Sequence, residues 1–440
     1  MKRWLLAGLL GLAILLFLAP GIIGLLAERS LEQQLAQNSR MSPDYVVREL
    51  AFERGWFNSA GRHRVPLADP ALAGFIALLT PGVGHPQQTP ALIIETRLEH
   101  GLVALGDASR DPAALIPALA NGRSTLSLEL PDGSELPVPG VLYSRIGLTG
   151  SATFRYELPA GGQTRDELHL NWQDSSAGFS SNSTGRELSF TADLGAARAS
   201  NEFHSLEFAS AQVAANRKAT PFGFPLGDVS LRIADVDWLT FGVPERWALL
   251  DVAGHSALQG NKVQGDLQFK LLGLQTADGP YDIEIQANVA NANAERLGPI
   301  IRALQYSRNG ASLASLQPYT GFDDDLRGLI SAGINLDIEQ LQVRTSSGDG
   351  IAKLTIAVPQ LKDVASWPAL LLALTATAGV EIERSRVETP SPATEQLRLL
   401  IAGGFLILDG DVYRLKADYA KGKATVNGAP LVIPTDLLTK

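Results

Sequence analysis

Apolar and polar residues alternate with a period of two along most of the chain. The clearest run is Tyr281, Ile283, Ile285, Ala287 and Val289, interleaved with Asp282, Glu284, Gln286 and Asn288. Side chains on a strand point to opposite faces in turn, so this pattern predicts a strand with one apolar and one wet face. The same alternation recurs at Leu126, Leu128 and Leu130, at Leu188, Phe190, Ala192 and Leu194, over 263–271, at Leu354, Ile356 and Val358, and at Tyr413, Leu415, Ala417 and Tyr419. Asp132-Gly133 and Ser347-Gly348-Asp349-Gly350 fall between alternating runs and supply residues tolerant of positive φ, which predicts antiparallel hairpins. The apolar phase is even at Ile334, Leu336 and Ile338 but odd at Leu341 and Val343, so one face is kept only through a bulge near 339–341. Helices are expected at 111–120, 294–308, 323–332 and 392–402, each opened by Asp, Asn, Ser or Pro.

The first residues break this rhythm. Lys2 and Arg3 precede an uncharged run from Trp4 through Leu5, Leu16 and Phe17 to Leu26. A run of roughly 20 residues crosses a hydrocarbon core of about 30 Å, whereas the apolar part of a cleavable signal spans about 7 to 15. Leucine at the outer position of Leu25-Leu26-Ala27 also departs from the small-residue cleavage pattern. The expectation is an uncleaved anchor with its basic tip in the cytoplasm and everything after Glu28 translocated. Leu31 and Leu35 then continue a helical stalk. The expected organisation is therefore a cytoplasmic tip and transmembrane anchor over 1–27, a helical stalk over 28–44 and a periplasmic β-rich body over 45–440, the body taken as one or two lobes. The fold class read from these patterns is mainly β: a large antiparallel, curved or groove-like sheet with a few short helices, preceded by one N-terminal transmembrane helix.

Charge and composition narrow the function. With 46 acidic and 37 basic residues the net charge is −9, which gives no broad attraction to phosphate backbones, and nucleic acid is excluded as an expected partner. With no cysteine there are no disulfides, thiolate metal sites or cysteine nucleophiles. Walker A, dinucleotide-binding, nucleophile-elbow and zinc-protease patterns are all missing, and the histidines at 63, 85, 100, 169, 204 and 255 stand singly. Asp235 and Asp237 alternate with Val236 and Trp238 as in an ordinary strand, and Asp323-Asp324-Asp325 sits where a helix begins, complementing its dipole. No enzyme activity, metal or cofactor is expected.

Phe52-Glu53-Arg54-Gly55-Trp56-Phe57-Asn58-Ser59 stands out by composition. It reads as a hairpin tip with Gly55 at positive φ, and Arg54, Gly55, Trp56 and Phe57 form a candidate contact with the bilayer or a partner, packing on the sheet edge being the plainer reading. A strand followed by Arg-Gly-x-Phe-x-Ser soon after an N-terminal anchor resembles the YdgA-like family of bacterial envelope proteins of unknown function. Leu98-Glu99-His100-Gly101 with Leu105 resembles that family's His-Gly element, with Val103 and Ala104 replacing a more typical Phe-Pro; the stretch from Tyr419 to Gly428 resembles its closing hairpin. The resemblance implies an inner-membrane, periplasm-facing protein without assigned catalytic residues.

The function expected is a non-enzymatic, inner-membrane-anchored periplasmic protein that presents an apolar sheet groove to membrane lipids in envelope maintenance. Tyr281, Ile283, Ile285 and Val289 are the candidate groove residues. The alternatives are a scaffold that pairs with itself as a homodimer or with an envelope protein and, behind it, an envelope hydrolase.

Overall fold

The computed structural model describes residues 48–55, 58–67, 89–100, 118–130, 132–165, 167–276, 279–307, 321–389 and 392–431. The expected anchor and stalk, including Trp4, Leu5, Leu16, Phe17 and Leu26, lie outside these residues, as do Trp56 and Phe57. Among the described residues no helix is long and apolar enough to cross a membrane. The described chain is mainly β, with extensive antiparallel sheet and few helices. It divides into two compact units, Met1–Ser205 with Gln212–Ala219, and Leu206–Ala211 with Thr220–Lys440.

In the first unit β1 (Arg48–Arg54), β2 (Asn58–Pro66), β3 (Ala91–His100), β4 (Ala118–Glu129), β5 (Glu135–Gly147) and β6 (Ala152–Leu158) pair with their sequence neighbours. The β4–β5 hairpin closes on Asp132-Gly133 as its turn chemistry predicts. Gly133 has φ 80° and the Asp132 carboxylate accepts from the Ser134 amide at 2.8 Å. The helix expected over 111–120 is corrected at its end, where Ala118, Leu119 and Ala120 already belong to β4; the rest of that span lies outside the described residues. Ala118 and Ala120 are fully buried there, and pairing with Ile146 and Gly147 overrides the helical reading of an alanine-rich stretch.

Further along, β6 leads into β7 (Gly161–Arg165), β8 (Leu168–Trp172) into β9 (Ser175–Ser181), and β10 (Glu187–Leu194) into β11 (Ala197–Ser200). All three breaks fall at the same level of the sheet, with the same register on either side. Amides that the ladder loses there find side chains instead: Ala160 N–H donates to Asp174 Oδ1 at 2.7 Å and Gly195 N–H to Ser175 Oγ at 3.1 Å. β13 (Ser210–Ala219), which belongs to this unit from Gln212 on, pairs with β10.

β12 (His204–Phe208), which enters the second unit at Leu206, pairs with β14 (Pro225–Thr240) of that unit. Beyond it run β15 (Val243–Gln259), β16 (Lys262–Thr276), β17 (Gly279–Asn293), β18 (Ile334–Thr345), β19 (Gly348–Val358) and β20 (Thr375–Glu383), each antiparallel to the strand before it. A short β21 (Ile407–Asp409) and then β22 (Val412–Ala420), β23 (Lys423–Val426) and β24 (Ala429–Leu431) complete it, with β22 on β20. The expected bulge is present: Gln286 pairs with Gln340 and Ala287 with Ile338, leaving Glu339 unpaired, so that Ile338 and Leu341 stay on one face.

Among the described residues helices interrupt this sheet at three connections. α1 (Ala294–Ser307) and α2 (Phe322–Ser331) follow β17; the Asn293 side chain accepts from Arg296 N–H at 3.1 Å and caps α1. α3 (Trp367–Ala373), α4 (Arg384–Glu388) and α5 (Pro392–Ala402) follow β19 and β20. The helices expected from the sequence at 294, 323 and 392 are found, whereas α3 and α4 have only 7 and 5 residues, too short to carry a helical period.

Candidate functional site

Directly opposed residues of an antiparallel sheet project to the same side, so the register of the second unit fixes its two faces. One file across eight strands reads Leu231, Val252, Phe269, Ile285, Leu341, Ala352, Val380 and Leu415. A neighbouring file reads Ile233, Leu250, Leu271, Ile283, Val343, Gly350, Ile382 and Tyr413, and another reads Val229, Gly254, Leu267, Ala287, Ile338, Leu354, Ala378 and Ala417. Every position is apolar or glycine. The opposite face runs Arg232, Asp251, Lys270, Glu284 and Gln342, alternating in charge, with Arg232 at 3.6 Å from Asp251 and Arg344 at 2.7 Å from Glu284. This is a polar face joined by cross-strand pairs, with Gln342 buried on it at 8% exposure.

Two packed clusters frame the apolar face. At one end α1 and α2 bring Ile300 and Leu329 against Val263, Ala292 and Phe224, with Val289 and Ile334 packed on the same cluster. At the other, Val387 of α4 and Leu397 and Ile401 of α5 pack on Ile382, Val380, Tyr413 and Leu415. Between them Leu231, Val252, Phe269, Leu271, Ile283, Ile285, Leu341 and Val343 are half-buried, while Leu267 is 45% and Val229 39% exposed. This open part spans six strands, roughly 24 Å by 14 Å, or several hundred Å². Contiguous apolar patches of that size mark binding grooves and interaction sites.

The candidate groove residues therefore separate. Ile283 and Ile285 lie in the open part, Val289 is packed under α1 and α2, and Tyr281 is engaged by Arg386 of α4. The Tyr281 hydroxyl accepts from Arg386 Nη2 at 2.8 Å, Ser347 Oγ accepts from Nη1 at 3.1 Å, and the guanidinium carbon lies 5.4 Å from the tyrosine ring centroid. Arg386 carried no local signal in the sequence, because Tyr281 is 105 residues away.

In the first unit the two motif segments meet. Ser59 on β2 and His100 on β3 form an Oγ to Nε2 hydrogen bond of 2.7 Å, with the residues 4% and 7% exposed. A serine hydrogen-bonded to histidine is the first element of a nucleophile and base pair, but here both side chains are enclosed, and the bond ties the start of β2 to the end of β3. A cleft of about 680 Å³ opens on that sheet beside Arg62, Glu95, Arg97 and Arg123; neither Ser59 nor His100 lines it. Arg62 there is paired with Glu95 at 3.3 Å and with Glu135.

Gly55 corrects an expectation. Its φ lies outside the left-handed range, and its N–H donates to the Asn58 carbonyl at 2.7 Å, closing the turn after Arg54, the last residue of β1. Glycine is required by contact instead, since a Cβ would stand 2.8 Å from Asn58 O.

The remaining carboxylates and histidines do not converge. Asp237 is paired with Arg246 at 2.8 Å, Asp235 has φ 51°, and Asp323 accepts from Trp367 Nε1 at 2.9 Å and pairs with Arg327. Exposed His255 shares a 2.5 Å hydrogen bond with Asp228, which raises its pKa above 6.5. Among the described residues no cluster of His, Asp and Glu could hold a metal ion.

A model of the family described as bacterial protein of unknown function, DUF945, matches residues 1–434. The chain belongs to that family. DUF945 covers both units, so the apolar face of the second and the Ser59–His100 tie of the first are parts of one family chain. No curated protein and no solved structure matches it.

Proposed function

We propose that this DUF945 chain is a non-enzymatic protein of the bacterial envelope, anchored in the inner membrane with its bulk in the periplasm, and that the apolar face of its second unit holds acyl chains of membrane lipid. The observation that carries the reading is the unbroken set of apolar files across β14 to β19 with, among the described residues, helical clusters packed at its two ends. Such a face left to water forfeits about 25 cal/mol per Å² of apolar surface, which a hydrocarbon chain recovers without any directional bond. Bulges at Val263/Gly265, Leu271/Leu274 and Ile338/Leu341 bend and twist the strands, which favours a groove over a flat wall. The apolar run after Lys2 and Arg3 supports placement at a bilayer, where lipid is at hand.

The test is made on protein purified from membranes. Intact mass is expected to retain the first 27 residues, and solvent extraction is expected to release phospholipid or fatty acid in near-stoichiometric amount. A mass lacking that segment refutes the anchor; lipid-free protein that stays folded, or a protein partner found in its place, refutes the acyl-chain reading.

A further inference from the structure

Resting on the acyl-chain reading, we infer that the face takes a long-chain fatty acid with its carboxylate on Arg386. Arg386 is 9% exposed, and its partners among the described residues are neutral: the Tyr281 hydroxyl, Ser347 Oγ and the tyrosine ring. Among the described residues no carboxylate lies within ion-pair distance of it. A guanidinium withdrawn from water without a counter-ion is costly, and an anion supplied by a ligand removes that cost. Among the described residues two of its five N–H donors are used, leaving donors for a carboxylate.

Position gives the second argument. Tyr281 is on the same face of β17 as Ile283, Ile285 and Ala287, so Arg386 stands at the head of the open apolar strip. From Tyr281 to Ala287 the strand runs roughly 20 Å. An acyl chain in one leaflet of a bilayer spans about 15 Å, half the hydrocarbon core, so one chain lies along the strip before it meets the cluster that contains Val289. The nearly enclosed guanidinium favours a carboxylate, which ends the chain and carries nothing beyond it. A phosphodiester bears substituents on both sides and needs open surface around the cation.

Full-length protein held in amphipol, titrated with a fluorescent long-chain fatty acid and separately with its methyl ester, tests this after subtraction of empty amphipol. The acid is expected to bind on the order of tenfold tighter than the ester, the scale of a hydrogen-bonded charge pair. Arg386→Gln should abolish that preference while ester binding persists, and Arg386→Lys should retain part of it. Equal binding of acid and ester by the unaltered protein overturns the assignment of Arg386 and leaves the acyl-chain reading standing. Binding of neither overturns both. Because the comparison on unaltered protein decides by itself, a variant that fails to fold does not rescue the proposal.

Discussion

Replacing Ile285 with aspartate puts a carboxylate in the middle of the open strip, and the cost separates an uncovered face from a closed core. Ile285 is half-buried between Phe269 and Leu341. Complete burial of an isoleucine side chain contributes about 1.5 to 3 kcal/mol, and the larger part is retained at this partly exposed position, about 1 to 2 kcal/mol. The two cross-strand contacts add about 0.2 to 1 kcal/mol each, and the poor strand propensity of aspartate up to about 1. The total is roughly 1.5 to 5 kcal/mol, and the carboxylate reaches water and stays ionised, so no charge-burial cost is added. Ile300→Asp is the internal standard. Ile300 is 6% exposed inside the helix-capped cluster, so its substitution loses the whole transfer term and encloses an unpaired charge, about 5 kcal/mol or more. Urea unfolding followed by circular dichroism on each variant measures both through the same transition. Equal losses for the two variants would mean that Ile285 is as enclosed as Ile300, and would refute the open face.

Gly55→Ala is expected to cost about 1 to 3 kcal/mol, because the new Cβ meets the Asn58 carbonyl at 2.8 Å and the turn must open, breaking the Gly55 to Asn58 hydrogen bond; a change within about 0.5 kcal/mol would show the contact to be relieved freely. His255 should titrate above 6.5 in a two-dimensional NMR series and fall back toward 6.5 in Asp228→Asn, since the Asp228 hydrogen bond is the main cause of the shift. A raised folded pKa stabilises fully below the unfolded value of 6.5 and ceases to as pH rises through the folded pKa, so the deficit of Asp228→Asn should shrink above that point; a deficit that grows with pH would have the wrong sign.

How much of this was legible in the sequence depends on the range of the interaction concerned. The alternation at Tyr281 to Val289 and the phase change between Ile338 and Leu341 are local, and both appear in the structure, the second as the unpaired Glu339. The helix starts at 294, 323 and 392 are likewise local. The short α3 and α4 carry too few residues for a period, and the alanine-rich segment ending at Ala120 shows helix propensity yielding to strand pairing. Gly55 shows that a glycine in a tight turn need not mean positive φ; a close carbonyl imposes the same residue. Whether an apolar strand face is covered depends on where α1, α2, α4 and α5 dock, which no periodicity records. Hence Val289 and Ile285, indistinguishable in pattern, lie in different surroundings. Ser59 with His100 and Tyr281 with Arg386 are joined across 41 and 105 residues, and only the fold brings them together.

The most direct measurement of the central claim is photo-crosslinking in living cells from a benzophenone side chain placed at Ile285 and, in a second strain, at the adjacent Gln286, which points to the charged face. Lipid adducts identified by mass spectrometry on the variant at 285, and absent at 286, are the predicted result. Equal lipid labelling at both positions, or protein adducts at 285 with no lipid, would contradict the account.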